Sequence, residues 1–279
     1  AFKSPAHVKR WMKTYYLKPS PGKVASAIRY MSASGVLDKK NAISPVFGFL
    51  SGVFKQNPEK VNAIIRSLDG LKEHHLGGVV FGLWYSGLEN AREKVEALFT
   101  THPQLAKNFS FLTKNDPRPL NKLPLEKGEW ILDALWGQFM ATGSPDPVRR
   151  VISTLPWGQD KKEMGKYLVA SAARFSLTAN AGQHRKVREI SRAVAELEAL
   201  IDATVPTVAD WPEPGVLFRD ISPLLADPAA FDTVVQAMAA AGGEVDVVLG
   251  VEARGFLFGV AVAQRLGVGF VPVRKAGKL

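Results

Sequence analysis

No cysteine occurs among the 279 residues, so no disulfide can staple the fold and no thiolate can hold a metal. That usage fits a reducing compartment, and a cytoplasmic location is expected. No run approaches the roughly 18 consecutive apolar residues that cross a bilayer. The opening stretch AFKSPAHVKRWMK is too charged for the apolar part of a signal peptide. A soluble chain with no membrane partner is expected. The chain starts on Ala1 rather than Met and ends on Lys278-Leu279 inside a motif, so both ends read as trimmed. Acidic residues are short in the first two thirds: residues 1–190 carry a net +14 and residues 191–279 a net −4, together the +10 of the whole. That reversal of sign implies two independent units, as does length divided by about 150. The lysines stand singly or in pairs such as Lys39-Lys40 and Lys161-Lys162. Such scatter reads as a solvated basic surface rather than a phosphate-binding track, so nucleic acid is not the expected partner.

What residues 1–190 do contain is one pattern written four times, an apolar-aromatic helix, a turn with Gly, Asn or Pro, and a second helix. The copies are FGFLSGVFKQNPEKVNAIIRSL (47–68), FGLWYSGLENAREKVEAL (81–98), LDALWGQFMATGSPDPVRRVISTL (132–155) and AARFSLTANAGQHRKVREIS (172–191). Val61, Val95, Val148 and Val187 hold the equivalent place in each second helix, at uneven spacings of 34, 53 and 39 residues. Val61, Ile64, Ile65 and Leu68 fall at i, i+3, i+4 and i+7, one stripe for packing against the helix before. Asn57-Pro58 and Asp146-Pro147 read as helix starts, a capping side chain followed by a proline suited to the first turn. The expectation is an all-α array of αα-hairpins over residues 1–190. Stacked hairpins present a curved surface that can hold a protein or peptide, or serve as packing with no client. Both readings stay open. The segment resembles uncharacterised bacterial helical-repeat proteins, from which no activity is inherited.

Histidines and tryptophans here invite a chemical reading. Adjacent residues on a helix point about 100° apart, so His74 and His75 need a third, distant partner to chelate a metal. His74, His75, His102 and His184 are therefore assigned surface or cap roles, and no metal is assigned. Trp84, Trp130 and Trp136 sit on apolar helices, where core packing is the default.

From Ser191 the composition turns to alanine, valine and glycine. SRAVAELEALIDATV (191–205) reads as an amphipathic helix, and Pro206, Pro212, Pro214 and Gly215 enforce an extended, turning stretch after it. Next come GVLFRDISPLLADPAAF (215–231), a helix over 232–242, a buried strand VDVVLGV (245–251), a loop EARG (252–255), a helix over 256–267 and a strand GFVPVRK (269–275). Apolar strand, glycine turn, helix and apolar strand make a βαβ unit of a parallel sheet. The EARG loop lies at the carboxyl end of its strand and opens a helix, where anions are favoured. The fold class is α plus α/β, a helical-hairpin array over residues 1–190 followed by a partial parallel-sheet domain over residues 191–279.

Taken together, PGVLFRDISPLLADP, GVEARGFLFG and FVPVRKAGKL resemble, in order and spacing, the amino-terminal half of adenine phosphoribosyltransferases of the type I phosphoribosyltransferase family. The resemblance implies adenine and phosphoribosyl pyrophosphate as substrates, AMP and pyrophosphate as products, purine salvage as the role, Mg2+ with the pyrophosphate donor, and a homodimer. It assigns Leu217, Phe218 and Arg219 to the adenine pocket, Phe218 stacking on the purine and backbone groups of its neighbours reading the purine edge. It assigns Glu252, Ala253 and Arg254 to pyrophosphate, with Arg254 as charge partner, and places Arg274, Lys275 and Lys278 across the cleft. A planar guanidinium with five donors suits a phosphate. Asp220 reads as a turn or cap residue. Singly, EARG reads equally as a turn, RKAGK as an exposed basic loop and Phe218 as a core aromatic. The family continues into an apolar strand ending in two acidic residues and a threonine-glycine-rich turn that holds the ribose phosphate. With that stretch missing, no catalytic residue is assigned and little turnover is expected. The rival reading is a peptide-binding array carrying a passive transferase remnant.

Overall fold

The computed structural model describes residues 2–39, 41–243, 245–275 and 277. The chain divides into two compact units, Ala1–Ser191 and Arg192–Leu279.

The first unit is helical: α1 (Pro5–Lys13), α2 (Val24–Ala33), α3 (Ile43–Gln56), α4 (Val61–Arg66), α5 (Gly77–Trp84), α6 (Ala91–Thr101), α7 (Pro103–Phe109), α8 (Trp130–Thr142), α9 (Pro145–Ile152), α10 (Met164–Gln183) and the start of α11 (Arg185–Thr204), joined by short 3-10 turns. Val61, Val95, Val148 and Val187 are each wholly buried. Burying an aliphatic side chain of this size contributes about 1.5 kcal/mol or more, which is why the pattern shows in the sequence. Ile64 and Leu68 are buried with Val61, while Ile65 sits at the margin of the stripe.

Glycines set how closely the helices approach. A Cβ on Gly48 would lie 1.9 Å from the Ala134 carbonyl oxygen, and one on Gly137 would lie 2.0 Å from the Pro45 carbonyl oxygen. The backbones of α3 and α8 thus touch reciprocally, each through a glycine notch. On α5, a Cβ at Gly82 would stand 2.7 Å from Leu50 Cβ, so α3 has a second neighbour at close range.

Two of the expected helix starts differ. Asn57 donates its side-chain amide back to the Val53 carbonyl at 2.9 Å, closing α3 instead of capping the next turn. The cap of α9 is Ser144, whose hydroxyl accepts from the Asp146 amide, so the helix begins at Pro145 and Asp146 lies in its first turn. A serine followed directly by a proline uses the same capping chemistry two residues earlier. Trp84 and Trp136 are in the core; Trp130 is half-buried and donates its indole N–H to the Lys127 carbonyl.

The second unit holds the rest of α11, then β1 (Thr207–Ala209), β2 (Leu217–Arg219), α12 (Ser222–Ala226), α13 (Pro228–Gly242), β3 (Val247–Val251), α14 (Arg254–Leu266) and β4 (Gly269–Val273). Strand β1 pairs antiparallel with β2, Val208 opposite Phe218. Strand β3 pairs parallel with β4, Val247 opposite Gly269 through Val251 opposite Val273, with α14 as the crossover. Asp227 caps α13, its carboxylate accepting from the amides of Ala229 and Ala230, so that helix starts four residues before the expected 232. One small core gathers Val205, Leu224 and Ala230; another gathers Val235, Ala239 and Val262.

Strand β3 is not buried on both sides as its apolar run suggests. Leu249 and Val251 are 62% and 65% exposed, and Val247, Val271 and Val273 on the same face are also exposed. The other face carries Val248, Gly250 and Phe270 against α13 and α14. Among the described residues this sheet has two strands, and one apolar side of it stands bare.

Candidate functional site

The EARG loop is positioned by glycine on both flanks. A Cβ on Gly250, near the end of β3, would lie 2.5 Å from the Gly255 carbonyl oxygen and 2.6 Å from the Phe270 ring; one on Gly259 of α14 would meet the same ring at 2.6 Å. Strand end and helix start are thereby drawn together around Phe270, and residues 252–254 span the short gap between them. The Glu252 amide donates to the Val273 carbonyl at 3.0 Å, extending the β3–β4 ladder by one bond. The Glu252–Ala253 peptide is cis. Arg254 is the first residue of α14, where amide hydrogens without intrahelical partners and the helix dipole favour an anion.

Two groups of expected site residues meet in space. The Arg254 guanidinium lies 4.8 Å from the centroid of the Phe218 ring, joining β2 to the EARG loop across 36 residues of sequence. A cation over an aromatic face at this distance is attracted by the ring quadrupole. Asp220 is close by: hydrogen bonds from Ser222 and, more weakly, the Arg254 charge hold its carboxyl below the usual range. Its Oδ1 accepts from the Ser222 amide at 2.9 Å, two residues on, an Asx turn leading into α12.

The backbone of β2 is arranged by its pairing. The Asp220 amide donates to the Pro206 carbonyl at 3.0 Å. Alternation along an antiparallel ladder then makes Val208 and Phe218 the next hydrogen-bonded pair. The amides and carbonyls of Leu217 and Arg219 therefore point toward the outer edge of β2. Leu217 is 70% exposed. The Arg219 side chain turns back on its own unit, donating to Thr207 Oγ1 at 3.0 Å and lying 3.8 Å from an Asp202 carboxylate oxygen.

The remaining residues group differently. Arg274 grips Glu252 through two contacts, 3.1 and 3.3 Å, so these two assigned residues neutralise each other at the loop. Lys275 is exposed just past β4, and Lys278 lies outside the described residues. Strand β1 escapes a reading of the sequence because its three residues come after Pro206 within a stretch of turn formers; the alternation in Thr207-Val208-Ala209 is too short to register.

No family model matches the chain. The adenine phosphoribosyltransferase of Thermobifida fusca (strain YX) is 54% identical over 86 residues, covering 30% of this chain and 49% of that protein. That of Streptomyces coelicolor is 56% identical over 82 residues, 29% of this chain and 45% of the relative. Among solved structures, the crystal structure of adenine phosphoribosyltransferase from Thermoanaerobacter pseudethanolicus is 47% identical over 28% of this chain and 48% of that one, with a TM-score of 0.27. The chain spans about half the length of the curated relatives it matches. About 30% of this chain is thus related to the amino-terminal part of adenine phosphoribosyltransferases.

Proposed function

We propose that the second unit recognises a 6-aminopurine and the diphosphate of phosphoribosyl pyrophosphate, as the portion of an adenine phosphoribosyltransferase that binds both. The observation carrying this reading is the approach of Arg254 to Phe218 at 4.8 Å, which joins a base-stacking ring to a phosphate-binding cation from two separate motifs. The outward backbone of Leu217 and Arg219 supplies both a donor and an acceptor for the edge of a base held over Phe218. The Arg254 guanidinium and the first amides of α14 supply donors for a diphosphate. Arg274 and Glu252, already paired, hold the loop that presents them. Magnesium enters as part of the substrate, complexed to the diphosphate. Phosphoribosyl transfer depends on positioning the ribose as well as the base and diphosphate. We assign no residue of this chain to the ribose phosphate, and the 279 residues alone are expected to bind both substrates with little turnover.

The test is calorimetric titration of the 279-residue protein with adenine and, separately, with magnesium phosphoribosyl pyrophosphate. Phe218→Ala is expected to weaken adenine selectively, by about tenfold for the loss of one stacking contact worth roughly 1–3 kcal/mol. Arg254→Ala is expected to weaken the diphosphate selectively. A folded, monodisperse protein that binds neither ligand overturns the reading, and sustained AMP synthesis overturns the expectation of little turnover.

One observation favours a second role, in the first unit. Met164, Leu168 and Phe175, at i, i+4 and i+11 of α10, are 57%, 48% and 79% exposed on one side of that helix, beside a groove of about 660 Å³ lined by Tyr167, Arg174 and Phe175. An apolar stripe edged by an arginine suits the apolar face of a peptide with an acidic flank. Phe175→Ser should abolish binding of such a peptide without changing the helical content; binding that persists dismisses this role.

A further inference from the structure

His74 and His75 do find a third partner, and it lies 36 residues upstream. Helix α2 ends in a turn through Gly35, φ +71°, in which the Val36 and Leu37 amides both donate to the Met31 carbonyl. Leu37 is buried, and the turn delivers Asp38 to the two histidines. The histidines occupy a 3-10 turn, Glu73–Leu76, and their rotamers bring the rings to 4.0 Å between centroids. Adjacent residues of a 3-10 turn point about 120° apart, so the side chains, and not the backbone, turn the two rings toward each other. Both Nε2 atoms converge on a single oxygen: His74 Nε2 is 3.1 Å and His75 Nε2 2.8 Å from Asp38 Oδ1.

This arrangement has the parts of a three-ligand metal centre. The three donor atoms lie within 4.8 Å of one another. Ligands about 2.0–2.1 Å from a tetrahedral zinc ion stand roughly 3.3 Å apart, so opening the two observed contacts by a few tenths of an ångström makes room for the ion. The His75 side chain is fully buried, and its Nδ1 lies 2.8 Å from the hydroxyl of Ser32, itself buried. A buried hydroxyl on the far ring nitrogen can accept from Nδ1–H and so hold the orientation of an imidazole that ligates through Nε2. His74 and Asp38 are 62% and 46% exposed at their side chains, which leaves a solvent path to the ion and an open coordination position.

We propose that Asp38, His74 and His75 form a binding site for one first-row divalent cation of the zinc type, held by the Nε2 atoms of the two imidazoles and a carboxylate oxygen of Asp38, with Ser32 as the positioning residue behind His75. Imidazole with one carboxylate suits zinc or cobalt over calcium or magnesium. The site is in the first unit and does not depend on the substrates of the second.

The experiment is titration of the untagged 279-residue protein with Zn2+ by calorimetry and with Co2+ by visible absorption. One equivalent per chain and a tetrahedral cobalt spectrum are expected. His74→Ala and Asp38→Asn, both at exposed side chains, should each weaken binding at least tenfold while leaving the metal-free melting temperature near that of the parent. Ser32→Ala should weaken zinc about 10–100-fold and shift the cobalt band, a readout that a merely structural hydroxyl would not move. Failure to bind one equivalent overturns the proposal, as does binding that survives both His74→Ala and Asp38→Asn, because the ion would then sit elsewhere.

Discussion

Substituting Gly137 by alanine puts a methyl group where α8 already touches backbone. The new Cβ would lie 2.0 Å from the Pro45 carbonyl oxygen and 2.8 Å from the Phe49 amide nitrogen, whereas real Cβ atoms essentially never come within 3.0 Å of such a neighbour. Neither atom belongs to a flexible side chain, so α3 and α8 must part by about 1 Å. A gap of that size forfeits up to half of the dispersion attraction across it; for one leucine-sized side chain with ~50 contacts of ~0.15 kcal/mol the loss is about 4 kcal/mol. Alanine returns about 1 kcal/mol through helix propensity, leaving a net destabilisation of about 3 kcal/mol. At roughly 2–4 °C per kcal/mol for a protein of this size, the melting temperature of the first unit should fall by about 6–12 °C. Circular dichroism melting measures it, with Gly182→Ala as control, since a Cβ at Gly182 in α10 meets nothing within 4 Å. The control should melt at or slightly above the parent temperature. Gly137→Ala melting with the control would mean that propensity outweighs contact and that the close approach of α3 and α8 does not govern stability.

Gly250→Ala would bring a Cβ to 2.5 Å from the Gly255 carbonyl oxygen, pushing the first turn of α14, and Arg254 with it, by about half an ångström. Under the proposed function, phosphoribosyl pyrophosphate binding should then fall about tenfold in calorimetry, and an unchanged affinity would show that this contact does not place the loop. His184 is buried beside Tyr16 and Phe139, and burial, reinforced by the Lys13 charge, lowers its pKa. The folded protein therefore takes up that proton at lower pH than the unfolded chain does, so its contribution to stability is intact above about pH 6.5 and drains as pH falls below it. His184→Phe should shrink the loss of melting temperature between about pH 7.5 and pH 5; equal losses in variant and parent would defeat this assignment.

The parts of the fold legible in the sequence are those written in apolar periodicity. Val61, Val95, Val148 and Val187 can be placed because each fills a buried position of a helix, and β3, α14 and β4 because an apolar strand, a glycine turn and an apolar strand admit few other arrangements. What escapes depends on distance in space. Nothing in the residues around His74 names Asp38, because a 3-10 turn and the Gly35 turn, each a local choice of backbone, bring the two segments together. Glycine in α3 and α8 lowers helix propensity, and only the facing carbonyls of Ala134 and Pro45 explain its place there. In the candidate site, Phe218 and Arg254 are assigned from motifs, and their mutual approach emerges only in three dimensions. The pairing of Arg274 with Glu252 is likewise invisible in the sequence, since two residues both assigned to phosphate are not expected to satisfy each other.

The bare side of the β3–β4 sheet gives the second unit a thermal signature. Val247, Leu249, Val251, Val271 and Val273 together present branched aliphatic surface with no polar side chain between them. Water released from such a surface drives contact by entropy near room temperature, and the drive fades on cooling. Any contact made through Leu249 and Val251 will loosen in the cold and tighten on warming or in sulfate, whereas a contact made through exposed charges weakens as salt is added.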